Sequence, residues 1–293
     1  MEARMPYDDV AWEKSDEVAE TWQDQCISPP ESFRSIGDFL LKHYNAGGAF
    51  EFNGLPVGGF NIALQMKFAN DCAAIIRFPI PGYTMFPEEK GRNEVAIMRF
   101  ITHKTSIPVP FIAHWGDKEE SPLKLSPFII MDYVKHLQSM MDILKMPDRP
   151  REEYIRLDRR IEKARLRSLY RELARVLLLL SQQPQNKIGS LCQVDELTWE
   201  VISRPLSLHM NELVRLGTLP QSELPTTTFD TASSYFEALA ELHISHLINQ
   251  QNDAVDSADD CRRKFVARFL FRKLVREQKF KRQWIFFEND FKI

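Results

Sequence analysis

The chain has 293 residues, 44% of them hydrophobic and 27% charged, with a formal net charge of −3. This is the composition of a folded soluble protein; it excludes a collagen-like or disordered chain and gives no global pull toward nucleic acid or anionic lipid. Cys26, Cys72, Cys192 and Cys261 stand far apart with no C-x-x-C pair, so neither a zinc ribbon nor a dithiol redox motif is predicted, and reduced thiols suit the cytoplasm. The opening "MEARMPYDDVAWEKSDE" is acidic and lacks the apolar core of a secretory signal. The longest aliphatic run, 176–180, falls far short of the ~20 residues of a membrane span. A soluble, cytoplasmic protein is expected.

In chain order, Val10, Trp12, Val18, Ala19 and Trp22 are spaced for an amphipathic helix over 8–25, and 32–44 predicts a second after Pro29 and Pro30. Beyond Gly47, short apolar runs alternate with Gly, Asn and Pro. Phe60, Ile62, Leu64 and Met66 share one face at period two, opposite Asn61, Gln65 and Lys67, which predicts a strand with a polar outer face. "AND" makes a turn, and 72–78 pairs back. Pro87 followed by Glu88 and Glu89 opens a helix. "IPVPFIAHWGD" is a loop leading into a short strand, and 128–131 is a buried strand with a polar exit. After 135 the pattern turns helical. A long helix over 151–180 carries the stripe Leu166, Leu169, Leu173, Val176, Leu177 and Leu180. A proline-punctuated loop at 204–228 follows, then helices over 231–250 and 259–283, the latter capped by Asp256 or Ser257. The layout predicts an α+β protein of two lobes.

Several short patterns bear on chemistry. Gly58 and Gly59, just before Phe60 and Asn61, can let a backbone approach a phosphate, although glycine pairs more often just turn the chain. Arg77 at a strand end and Glu94 on the next helix can brace a diphosphate; an ordinary ion pair worth at most about 1 kcal/mol is the plainer account. "PFIIMDYVK" is either a linker or a crossover offering backbone groups to a flat base. His243 and His246, three apart on a helix, lack a Glu or Cys companion and read as helix-face histidines rather than metal ligands. "DAVDSADD" lacks the glycine and closing Glu of a calcium loop and reads as a helix cap. The segment 262–282 holds ten basic residues and one Glu, with Phe265, Phe269, Leu270 and Leu274 on an apolar face. Such a helix can bind lipid, calmodulin or nucleic acid, but a core-packed helix with a solvated basic side is favoured.

Taken together and in order, "GGFNIALQMKF", "IIRFPIPGYTMFPEEKGRNEVAIMRFI", "IPVPFIAHWG", "PFIIMDYV", "RPLSLHMNELVRLGTLP" and "FDTASSYFEALAELHISHL" resemble the fungal aminoglycoside-phosphotransferase-like family, from about residue 7 to at least 278. The resemblance implies a protein-kinase-like two-lobe fold: a helical N-terminal extension (1–45), a nucleotide-binding small lobe (46–134) and a mainly helical large lobe (135–293). It implies ATP as cofactor and magnesium as metal. Gly58, Gly59, Phe60 and Asn61 would cover the phosphates, Arg77 would stand where kinases carry a strand lysine, and Glu94 would be its partner. Met131 and the hinge Asp132, Tyr133 and Val134 would meet adenine. Arg keeps the charge but swaps a compact ammonium for a planar fork. Phosphoryl transfer in this fold depends on a catalytic Asp, an Asn and a metal-binding Asp. Asp290 in "FFENDFKI" matches the first of these, and the sequence stops before the others. The expectation is a large lobe incomplete at its catalytic loop, weak ATP binding, missing magnesium ligands and no turnover. It also includes self-association through uncovered apolar surface, and an acceptor that the residues do not specify. The competing expectation is a non-catalytic interaction protein or pseudokinase that uses the basic helix 262–282 as its contact surface.

Overall fold

The computed structural model describes residues 7–27, 29–44, 50–55, 58–69, 72–146, 156–250 and 255–279. The protein is α+β: a five-stranded antiparallel sheet with helices on both faces, followed by a mainly helical C-terminal region. Two helices come first, α1 (Tyr7–Ile27) and α2 (Pro30–His43). Proline opens α2 where a missing N–H costs nothing, and Lys42 and His43 sit in its last turn, where the helix dipole favours cations. The sheet follows, with β1 (Phe50–Gly54), β2 (Asn61–Phe68), β3 (Ala73–Pro79), β4 (Ile112–Gly116) and β5 (Phe128–Asp132) in the order β1-β2-β3-β5-β4. Helix α3 (Pro87–Lys104) joins β3 to β4, with Pro87 and the acids Glu88 and Glu89 in its first turn.

Alternation along the strands divides the core in two. Ile62, Leu64 and Met66 of β2, Ala74, Ile76 and Phe78 of β3, and Phe128 and Ile130 of β5 pack with Ala19 and Trp22 of α1 and Ile36 and Leu40 of α2. The indole N–H of Trp22 donates to the Leu125 carbonyl at 2.9 Å, so the ring is buried with its one donor satisfied. On the opposite face Val95 of α3 packs on Ile112, Ile129 and Met131. Because the sheet is covered on both sides, β2 lacks the polar outer face predicted for it. Gln65 is only 9% exposed and Ala63 is buried, whereas Lys67, near the strand end, reaches solvent.

The remaining elements are α4 (Met140–Leu144), α5 (Lys163–Ser181), β6 (Ser190–Gln193), β7 (Trp199–Ser203), α6 (Leu208–Arg215), α7 (Ala232–Asn249) and α8 (Ala258–Arg276). Two expectations are corrected here. The helix predicted over 151–180 begins only at Lys163, the chain before it making an isolated bridge between Lys145 and Leu157; residues 151–155 lie outside the described set. The stretch expected to be helical also holds an antiparallel hairpin, β6–β7, lying along α3. Asn93 of α3 donates to Ser190 at 3.0 Å, and Trp199 packs edge-on to Phe100 with Lys104 above its ring.

The caps of α7 and α8 follow the sequence: Thr231 accepts from the Ser234 N–H and Ser257 from that of Asp260. The faces of α8 do not. Its basic residues form much of the seam with α7: Arg272 pairs with Glu241 at 2.6 Å and Arg276 with Glu237 and Glu241, while Phe265 and Phe269 are each 50% exposed. Ionic pairing rather than the aromatic stripe therefore orients this helix, the reverse of the packing expected. The helix α5 has no fully buried residue among those described.

Candidate functional site

The most chemically loaded spot lies where β2 and β3 face the first turns of α3. Ala63 of β2 is the register partner of Arg77, which alternation turns toward α3. Arg77 Nη2 lies 2.5 Å from Glu94 Oε1. That nitrogen is buried against the Glu94 carboxylate, while the side chain as a whole keeps 22% of its surface exposed.

One turn before Glu94 stands Lys90, which sequence reasoning passed over. Its ammonium donates to the side-chain oxygen of Asn61 at 2.9 Å, an amide rather than a carboxylate. Burial, with Arg77 nearby, holds the Lys90 amine below the ordinary lysine range, and Glu94 opposes that shift. Two cations thus lie near one carboxylate, Arg77 in contact with it and Lys90 held by Asn61. The only signal in the sequence was helical spacing, since positions four apart lie on one face.

Gly58 and Gly59 form the turn above this cluster, closed by the Gly58 N–H donating to the Asn61 carbonyl at 2.8 Å. Neither glycine has a positive φ, and a Cβ built on Gly59 meets no atom within 4 Å. Phe60 follows, half-buried, and its carbonyl accepts from the Ile80 N–H at 3.0 Å. The turn, Arg77, Lys90 and Glu94 therefore form one group, with Asn61 linking turn and helix.

The proposed hinge lies apart from them, at the end of β5. Met131 is buried against Val95. The Asp132 carboxylate accepts from the Tyr44 hydroxyl at 2.7 Å, and burial followed by this bond holds that hydroxyl above the tyrosine range. Tyr133 is half-buried and Val134 exposed, and the Val134 carbonyl already meets the His136 ring at 3.0 Å. Asp290 lies outside the described residues. No family model, curated protein or solved structure matches this chain.

Other clusters can be placed. His243 and His246 are joined by His209 of α6, with ring centres 5.6 and 6.4 Å from His209. Even so, no group of three or more His, Cys, Asp or Glu is arranged to hold a metal among the described residues. No described helix is long and apolar enough to cross a membrane.

Proposed function

We propose that the sheet and α3 form a kinase-like small lobe that binds the phosphates of an adenine nucleotide, in a chain of the aminoglycoside-phosphotransferase-like type. The observation that carries this reading is the Arg77–Glu94 pair beneath the glycine turn. The strand order β1-β2-β3-β5-β4, with a helix between β3 and β4, supports it, because that topology sets a strand cation against a helix carboxylate as phosphate-orienting lobes do. The residues fit the anion. Arg77 is a partly exposed cation held by one carboxylate, Lys90 donates only to an amide, and Gly59 leaves space where a side chain would intrude. Bound nucleotide would supply the phosphate anion, and the chain's own part is to orient it with Arg77 and Lys90 while Glu94 fixes Arg77. Magnesium finds no ligand set among the described residues, so none of them is assigned to it.

Calorimetric titration of ATP into the full chain, in EDTA and in magnesium, tests this. Direct contacts from Arg77 and Lys90 predict binding in both buffers and a loss of at least about tenfold on Arg77→Ala, because charge-assisted bonds to phosphate are lost. No heat at millimolar ATP, or equal affinity in Arg77→Ala, would sink the proposal.

A further inference from the structure

Among the described residues, four polar side chains frame the space between the sheet and the first turns of α3: Asn61 of β2, Arg77 of β3, and Lys90 and Glu94 of α3. The wall around them is apolar and includes Pro79, Phe128 and Ile129. The space itself is about 10 Å³, room for about one water. Two cations meet two acceptors there. Glu94 takes Arg77 at 2.5 Å, and the Asn61 side-chain oxygen takes the Lys90 ammonium at 2.9 Å. Lys90 and Glu94 stand four apart on one helix, a spacing at which opposite charges normally reach each other. Lys90 nonetheless bonds to the amide and not to the carboxylate. The backbone of Asn61 fixes it for this contact: its carbonyl accepts from the Gly58 N–H at 2.8 Å, and it pairs in register with Pro79 at the first position of β2.

We propose that Asn61 is the positioning residue of this cluster: its neutral amide holds the Lys90 ammonium off Glu94, which reserves the carboxylate for Arg77 and leaves one positive charge in surplus for the phosphates. The surplus has a use only on the nucleotide reading, whereas the holding of Lys90 stands without it. An amide oxygen satisfies an ammonium proton without cancelling its charge. A carboxylate at position 61 would cancel it. An apolar side chain there would leave Lys90 a single acceptor, the carboxylate one turn on, and Lys90 would compete with Arg77 for it. The apolar wall enforces the choice, because a half-buried ammonium without a partner is costly. The Lys90 amine already lies below the ordinary lysine range, chiefly through burial; Arg77 adds to that shift and Glu94 opposes it. Closer approach to Glu94 would raise it.

Lys90 itself reports on this, because only a free amine is acylated. Acetylation of the full chain by an N-hydroxysuccinimide ester, read at Lys90 by mass spectrometry between about pH 7 and 10, follows the titration of that one amine. Asn61→Leu and Asn61→Asp should each move the profile to higher pH and slow the reaction at about pH 8 at least about threefold. Adding Glu94→Gln should abolish the shift in Asn61→Leu but not in Asn61→Asp, a pattern that loosened packing would not produce. Asn61→Gln keeps a neutral acceptor and should stay within about twofold of the native rate. In the calorimetric titration with EDTA, Asn61→Asp should weaken ATP at least about tenfold, while Asn61→Gln holds. Melting curves of each variant confirm folding. A Lys90 profile that is the same in Asn61→Leu, Asn61→Asp and the native chain overturns the proposal. So does ATP binding that needs Arg77 yet is untouched by Asn61→Asp. A shifted Lys90 profile in a chain that binds no ATP removes the nucleotide reading instead and leaves Asn61 as the holder of Lys90.

Discussion

Arg204 grips Glu89 side-on with one edge of its guanidinium: Nε reaches the two carboxylate oxygens at 2.9 and 3.2 Å, and Nη2 reaches one at 2.7 Å. The same guanidinium lies 4.7 Å from the ring centre of Phe86. The residue just after β7 is thereby fastened to the first turn of α3, one position before Lys90. Both side chains are largely buried, so the grip resembles an internal pair more than a surface one. Arg204→Ala should destabilise the protein by about 2 kcal/mol by leaving Glu89 buried without its donors. Arg204→Lys should recover less than half, since an ammonium cannot make the forked contact. Urea unfolding measures both, and a change under about 0.5 kcal/mol in the alanine variant would contradict the role given to the pair.

Two glycines should respond in opposite ways to the same substitution. Gly82 has φ 89°, and a Cβ there would lie 2.4 Å from the Ser15 carbonyl oxygen of α1. Gly82→Ala must therefore strain the backbone and push α1 off the sheet, at a cost of about 2 kcal/mol or more. Gly59→Ala meets nothing, so its stability should shift by less than about 0.5 kcal/mol. If the glycine turn closes over phosphates, ATP binding should fall in Gly59→Ala while its melting curve stays put. A destabilised Gly59→Ala would make that glycine a folding requirement instead.

The sheet was legible because its strands are short, apolar and bounded by turn residues: β2, β3 and β5 lie within two residues of the predicted bounds, and α3 announces itself with Pro87 and two acids. The hairpin β6–β7 was not. Ser190, Gln193 and Glu200 dilute its apolar content, and its packing partners Phe100 and Lys104 lie about a hundred positions earlier. The Arg77–Glu94 pair could be guessed from a strand end and the next helix. Lys90 beside Asn61 could not, because that contact arises only when the entry to β2 meets the first turns of α3. For α8 the sequence misled: the aromatic stripe suggested a core face, but acids on α7 bind its arginines.

Stability should fall as pH drops through the histidine range. His209 and His243 are both held below their ordinary pKa, chiefly by burial. The facing charges reinforce it: His246 and Arg268 at both rings, and His209 at His243. Phe271 packs edge-on to His243 and offers no charge to offset this. A depressed folded pKa means that the unfolded chain binds protons first. Stability is therefore complete above the unfolded value of about 6.5 and declines as pH falls below it, toward the folded values. His43, stacked on His114 with ring centres 4.1 Å apart, is depressed in the same direction. Urea midpoints should drop between pH 8 and 5.5, and His209→Gln with His243→Gln should flatten most of that slope. A midpoint independent of pH over this range would refute the assignment.

The two faces of α8 should differ sharply in their tolerance of substitution. Val275 is 5% exposed, and the neighbouring Arg272 and Arg276 bind the α7 acids. Phe265 and Phe269 stack on each other with ring centres 6.0 Å apart, and each keeps half its surface in water. Val275→Ala should cost about 2 kcal/mol by opening a cavity in the seam. Arg272→Ala should cost about 1 kcal/mol, since the pair is only partly shielded from solvent. Phe269→Ser removes a larger side chain yet should cost only about 1 kcal/mol, because half of that side chain already lies in water. It should also raise solubility by breaking an exposed aromatic patch. The comparison is decisive in either direction, because side-chain size and burial predict opposite rankings. If Phe269→Ser costs more than Val275→Ala, the aromatic face is covered in solution, and sedimentation at several concentrations then shows whether a second copy of the chain covers it.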